Sequence, residues 1–424
     1  MSVAEAHPAV EWARSGAMAL TGRPGEAPRL APGPLAACAR DGIAALRRLA
    51  AVPLPVDLDG PALLGERAAL LGLRRRGRVA PGGACRLLEA ADNWIAVTLA
   101  RPDDTALLPA WLGVADADDP WPAVARALRE RSADEAVARA RLLGLAAAVA
   151  GPLPEAPPPP HRVAARGPRR AQSPRATLRV LDLTALWAGP LCAHLLGLAG
   201  ARVVKVESVS RPDGARAGSA AFFDLLNAGK ASVALDLGAL EGREALRRLV
   251  AASDVVIESA RPRALRQLGI EAEALIAEQP GLVWVAITGH GRREPGADWI
   301  GYGDDAAVAA GLARATGEPG STPLFCGDAI ADPLTGIHAA VCALEAFHAG
   351  EAVLLDVCLR DVAAAAATSS AGAREARVSR RGRGFEVEAG GVRQPVRAPH
   401  ARRPAGRARP LGADTAAVLA EIGC

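Results

Sequence analysis

Residues 326–340, CGDAIADPLTGIHAA, set two aspartates, Asp328 and Asp332, ahead of an Ala-rich run entered through Gly336. A carboxylate in such a place has two uses. It can cap a helix, accepting from the free amides of the first turn and complementing the positive end of the dipole. It can also attack an activated acyl group, forming a mixed anhydride that divides one hard transfer into easier steps. Backbone amides near Gly327 and Gly336 would then hold the developing oxyanion. Taken alone, the segment favours the cap for Asp332, and Asp328 fits a turn equally well.

The same stretch has an echo near the other end of the chain. SGAMALTGRPGEAPRLAPGPLAACARDGIAAL (15–46) aligns with AGLARATGEPGSTPLFCGDAIADPLTGIHAA (310–340). Gly16, Thr21, Gly22, Pro24, Gly25 and Pro28 match Gly311, Thr316, Gly317, Pro319, Gly320 and Pro323 at identical spacing. After a one-residue slip, Gly33 and Gly42 match Gly327 and Gly336, and Cys38 then stands opposite Asp332. Such a coincidence of Gly and Pro reads as an internal repeat.

Elements that could position these residues follow from periodicity. Residues 178–183, ARVVKVES (201–208), VALDL (233–237), DVVIES (254–259) and LVWVAITGHG (282–291) read as buried strands. Helical patterns from Gly189-Pro190, over 240–252 and over 271–279 alternate with them. The expectation is a doubly wound, parallel, Rossmann-like sheet. Ahead of it, 33–50 and 60–73 read as helices, 85–104 as a strand pair turning at Asp92-Asn93, and 105–150 as two or three helices. That is a small α+β domain. Between the two, PLPEAPPPPHRVAARGPRRAQSPRA (152–176) reads as a stiff, solvated linker. WAGPLCAHLLGLAG has the place of a dinucleotide turn but lacks GxGxxG, so its glycines serve strand–helix packing rather than a nicotinamide cofactor.

Composition narrows the classes. Fifty basic against 46 acidic residues give a net charge of +4, too even for a dedicated nucleic-acid binder. Only two of the bases are lysine, Lys205 and Lys230, as expected of a GC-biased genome. Seven scattered cysteines without a CxxC suggest a reducing compartment, no disulfide framework and no zinc site or other metal. The N-terminus has no leader pattern and no uncharged run reaches the ~20 apolar residues of a membrane helix, so a cytoplasmic chain without membrane contact is expected. The Arg-rich stretch 374–409 could meet an acidic partner, but with one aromatic residue it reads first as a solvated tail.

Taken together, VLDLTALWAGP (180–190), GARVVKVES (200–208), NAGKASVALDL (227–237), SDVVIESARPRALRQLGI (253–270), PGLVWVAITGHG (280–291), GYGDDAAVAAG (301–311), ATGEPGSTP (315–323) and GDAIADPLTGIHAAVCALEA (327–346) resemble the family III CoA-transferases in order and spacing. The resemblance implies that Asp332, four residues before Gly336, is the nucleophile and that Asp328 is not. It implies a coenzyme A thioester as substrate, an acyl-CoA donor with a carboxylate acceptor, no permanently bound cofactor, and a homodimer. It also points to Leu186, Ser208, Lys230 and Arg261 near the nucleotide, although Lys230 and Arg261 would equally serve as exposed solubilising charge. Related acyl-CoA racemases carry a histidine where Tyr302 stands here, which makes proton abstraction the less favoured chemistry. His290 and His338 read as packed or solvated histidines.

The family order is altered in this chain. ADNWIAV (91–97) resembles a strand of the family's small domain, which the 371–424 region is too short to hold. The expected organisation is a partial repeat at 1–74, the small α+β domain at 75–151, the linker at 152–176, the sheet domain with the catalytic loop at 177–370, and an Arg-rich stretch with a closing helix at 371–424. A fused, truncated pair would account for it. A degenerate, non-catalytic CoA-binding protein is the reading from a different class.

Overall fold

Seven strands form the central sheet of the computed structural model, which describes residues 7–114, 118–171, 177–317, 322–369 and 376–423. Three strands precede them: β1 (Cys85–Glu89), β2 (Trp94–Thr98) and β3 (Ala146–Val149). The central sheet comprises β4 (His161–Gly167), β5 (Arg179–Leu183), β6 (Arg202–Ser208), β7 (Ala231–Leu235), β8 (Val255–Glu258), β9 (Val283–Thr288) and β10 (Ala352–Cys358). Their order is β4-β10-β9-β8-β5-β6-β7. All neighbours are parallel except β4, which pairs antiparallel with β10 at the edge. β8 and β10 are buried along their whole length, as parallel strands covered by helices on both faces must be. The expected doubly wound α/β class is therefore the observed one.

The Ala331–His348 helix is the centre of the larger core. It is apolar on nearly every side, which suits a helix enclosed by others. Two glycines allow its neighbours to come close. A methyl group at Gly336 would lie 2.7 Å from the Ala188 carbonyl oxygen of the Ala188–Leu198 helix. A methyl at Gly42, in the Leu35–Leu49 helix, would lie 2.4 Å from Ile337 Cγ2. The aligned helices of the repeat thus pack on one another. Gly16 and Gly311, both at positive φ (82° and 90°), each precede a short helix, Ala17–Leu20 and Leu312–Thr316. The Pro319 and Gly320 part of the alignment lies outside the described residues.

Three expectations change. Residues 146–149 are not helical. Despite an Ala-rich sequence they form β3, because pairing with β2 and burial against Ile95 and Val97 outweigh a weak local propensity. Residues 161–167, inside the expected linker, form β4, where hydrogen bonding to β10 satisfies the backbone. The expected solvated tail instead folds into a three-stranded antiparallel sheet, β11 (Ala376–Arg381), β12 (Gly384–Ala389) and β13 (Val392–Pro395). Val387 and Ala389 are buried in the same core as Trp12, and Arg402 bonds Glu66 with both its Nε and its Nη2. No helix of the described residues is long and apolar enough to cross a membrane.

Candidate active site

Asp332 occupies the first turn of the Ala331–His348 helix, but it does not cap it. The N-cap is Ile330, which makes no side-chain bond, and among the described residues no hydrogen bond reaches the Asp332 carboxyl. The cap expected from the local sequence is thus replaced by an uncommitted carboxylate. Oδ2 lies against Gly303, where a methyl group would come within 2.2 Å of it and within 2.5 Å of the Ala329 carbonyl oxygen. Only glycine leaves that space. Asp332 is half-buried, yet its surroundings are closed enough that burial pushes its carboxyl up to about 7. Arg67 opposes the rise, while Asp304, Asp305 and Asp328 add to it.

Asp328, by contrast, is committed to a partner. It is fully buried and accepts two bonds from Arg67, Nε to Oδ2 at 2.8 Å and Nη2 to Oδ1 at 2.5 Å. The Arg67 guanidinium also lies over the Trp187 ring, 5.1 Å from its centroid. Such a bidentate pair is structural, and it leaves Asp332 as the reactive candidate of the two. Ala329, between them, holds φ +43°, an uncommon conformation for a residue with a side chain. Its N–H donates to Asp304 Oδ1 at 2.9 Å, which fixes the turn.

The wall beyond Gly303 is acidic and desolvated. Asp305 accepts from Tyr302 N–H and from Thr98 Oγ1, both at 3.0 Å. Burial, with Asp304 adding to it, pushes its carboxyl to about 7. Its Oδ2 has no hydrogen-bond partner and lies 3.9 Å from His290 Nε2. His290 is packed, as expected, and burial holds it down to about 3, so its imidazole is neutral. Tyr302 is half-buried, with its phenol raised above 10 by burial, which disfavours phenolate chemistry at neutral pH. Thr98 comes from the small α+β region and Arg67 from the N-terminal region. Sequence reasoning missed both, because nothing in their local spacing marks them.

The remaining expected residues divide. Leu186 follows β5 and Arg261 follows β8, the two strands at which the sheet order reverses. In open α/β sheets, ligands bind outside the carboxyl ends of strands at that reversal. The two loops touch through Ala185 N–H and Ser259 Oγ at 3.2 Å. Leu186 is 44% exposed at φ +71°, the second non-glycine residue in the left-handed region among those described. Arg261 is half-buried. Burial and the charges of Arg263, Arg101 and Arg211 lower its pKa against the opposing charge of Asp298, which pairs with Arg263 at 3.4 Å. Ser208 ends β6, its Oγ 2.9 Å from Ser210 Oγ.

Lys230 is not an exposed charge. It is buried, and its ammonium donates to Asp182 Oδ2 (2.8 Å), the Pro190 carbonyl (3.0 Å) and Asn227 Oδ1 (3.0 Å). All three of its protons are engaged, so none is left for a phosphate. The glycines are corrected too. Gly327 N–H donates to Thr21 Oγ1 at 2.9 Å, and Gly336 lies within a helix as a packing contact. Neither offers an amide to an oxyanion. A cleft of about 470 Å³ lined by Glu26–Ala31, Ala315, Thr316 and Val378 does not include Asp332.

A family model described as CoA-transferase family III matches residues 176–400, more than half of the 424-residue chain. The chain is 35% identical over 209 residues to a succinate–glutarate CoA-transferase of Agrobacterium fabrum, covering 45% of this chain and 52% of that one. It is 31% identical over 173 residues to a formyl-CoA:oxalate CoA-transferase of Escherichia coli, covering 39% and 42%. The crystal structure of a CAIB/BAIF family protein from Brucella suis is 35% identical with a TM-score of 0.43, covering 46% of this chain and 55% of that one. The chain spans about half the length of the curated relatives it matches.

Proposed function

This chain belongs to CoA-transferase family III, and we propose that it moves coenzyme A between two carboxylic acids with Asp332 as the covalent nucleophile. The observation that carries the reading is the carboxyl of Asp332, uncapped and held in a desolvated corner against Gly303. An ionised carboxylate is a weak nucleophile in water, and removing its hydration while fixing its position raises its reactivity toward a thioester carbonyl.

In the first step Asp332 Oδ bonds to the donor acyl carbon, the C–S bond breaks, and the CoA thiolate leaves. The thiolate then attacks the Asp332 carbonyl carbon of the anhydride. That forms an aspartyl-CoA thioester and releases the donor acid as its carboxylate. The acceptor carboxylate attacks the same carbon, expelling the thiolate and forming a second anhydride. Thiolate attack on the acceptor acyl carbon completes the transfer and frees the Asp332 carboxylate. No proton is gained or lost over the cycle, and the thioester bond energy is kept.

The loops after β5 and β8 are the proposed CoA crevice, with Leu186 against pantetheine or adenine and Arg261, with Arg211 in its neighbourhood, toward phosphates. Ser208 is proposed at the edge of that crevice. A cytoplasmic homodimer remains the proposed assembly. The organisation is proposed as a fused pair in which 1–74 is a partial second copy. The packing of the Leu35–Leu49 helix on the Ala331–His348 helix supports it, as does Cys38 in the position aligned with Asp332.

Incubation of the full chain with an acyl-CoA, then hydroxylamine, tests the nucleophile. Mass spectrometry is expected to find a hydroxamate at Asp332 alone. Deuterium exchange into the α-carbon of the acyl group, with Asp332 unlabelled, would instead identify an enolising enzyme. A second reading, a non-catalytic CoA-binding protein, would give neither signal.

A further inference from the structure

The Asp332 helix carries a second cluster on its far half. His338 and Cys342 are four residues apart on one face of the helix, and His161, the first residue of β4, comes against them from the edge of the sheet. His161 Nδ1 lies 3.0 Å from His338 Nε2, while Cys342 Sγ lies 3.5 Å from His161 Nδ1 and 3.4 Å from His338 Nε2. The imidazole centroids are 5.2 Å apart and the planes are tilted by 40°, so the rings do not stack face to face. A proton shared between two histidines would account for the contact at 3.0 Å. It would not place a sulfur at nearly equal distance from both nitrogens.

We propose that His161, His338 and Cys342 form a binding site for a zinc-class divalent cation. Tetrahedral zinc, with Zn–N near 2.0–2.1 Å and Zn–S near 2.3 Å, separates its ligands by about 3.3 Å (N to N) and about 3.5 Å (N to S). The three observed separations fall within about 0.4 Å of those values. Nitrogen and sulfur donors together select zinc over calcium or magnesium. Cys342 is buried and the two histidines are half-buried, so the cluster has an open side for entry and for a fourth ligand. A water fits that position.

The ion would clamp β4, where the chain enters the central sheet after the proline run, to the helix that begins at Asp332. His338 is six residues beyond Asp332, about 9 Å along the helix axis, so the ion would not touch the reacting atoms. Cysteine spacing gave no sign of the site, because one ligand is far away in the chain and the other two are separated by a helical turn. Cys342 ligates as thiolate, and its proton is released to solvent on binding.

The test uses the full chain, reduced and stripped with a chelator, then titrated with zinc against a chromophoric competitor. One equivalent is expected to bind, and Cys342→Ser, His338→Gln and His161→Gln each to weaken it at least tenfold. Cobalt substitution gives an independent readout in the unmodified protein, a thiolate-to-cobalt charge-transfer band. The band is expected to persist in Cys38→Ser and to vanish in Cys342→Ser. Zinc is also expected to raise the unfolding midpoint of the unmodified chain. Absence of a tight equivalent or of the cobalt band in the unmodified chain would overturn the proposal. So would zinc binding that is unchanged in Cys342→Ser and His338→Gln.

Discussion

Replacing Asp332 by asparagine should remove catalysis and stabilise the fold together, and the second effect can be sized. Burial holds the carboxyl at about 7 against an ordinary 3.8. The gap of about three pH units, at about 1.36 kcal/mol each, means that an ionised Asp332 costs the folded state about 4 kcal/mol above neutral pH. The sign follows from proton counts. Between about pH 4 and 7 the folded chain keeps a proton that the unfolded chain has lost, so stability falls as pH rises through that window and levels off above it. Asparagine carries no charge and escapes this cost. Urea unfolding is expected to show a gain of about 1–2 kcal/mol for Asp332→Asn near pH 5 and up to about 4 kcal/mol near pH 8. That cost already includes the repulsion between Asp332 and Asp304, Asp305 and Asp328. Acyl exchange in the same samples should fall by about 10⁴-fold or more. In the unmodified enzyme kcat/KM should rise with pH and level off above about 7, because only the carboxylate attacks. A variant no more stable than the parent near pH 8 would refute the desolvated carboxylate. One that still exchanges acyl groups would refute the nucleophile.

Three other outcomes follow from contacts around the site. Gly303→Ala places a methyl 2.2 Å from Asp332 Oδ2 and must displace it; kcat should fall roughly 10²-fold with the circular dichroism spectrum unchanged. Arg67→Ala leaves Asp328 buried and unpaired and should cost about 3–5 kcal/mol in urea unfolding, with much of that recovered in the Arg67→Ala/Asp328→Ala double variant. Lys230→Met should destabilise the fold without a selective rise in the KM for acyl-CoA, because its partners are internal. With Lys230 present, burial is outweighed by its charge and that of Lys205, and Asp182 is held down to about 2. That contribution is present above about pH 4 and is lost as pH falls toward 2, so the variant should show a shallower acid-unfolding limb.

The sequence by itself determined five of the seven central strands, β5 to β9. Apolar runs such as VVIE and VWVAIT, alternating with helical patterns, can only be strands covered on both faces. The segment alone did not separate Asp332 from Asp328; only its resemblance to the family implied that Asp332 is the nucleophile. What the sequence could not settle was the state of each group. The position of Asp332 ahead of an Ala-rich run predicted a cap, but the N-cap is Ile330, after the turn at Ala329, and the carboxyl is left uncommitted. Lys230 read as a phosphate contact or a surface charge until tertiary packing enclosed it with Asp182. AAAV at 146–149 read as helix until β2 offered hydrogen bonds. Arg67, Thr98 and His161 carried no local signal, since their partners lie 261, 207 and 177 residues away in the chain. Periodicity reports which face of a segment is buried. Protonation, ion pairing and metal-ligand geometry depend on what lies across the gap, and only the folded chain brings those groups together.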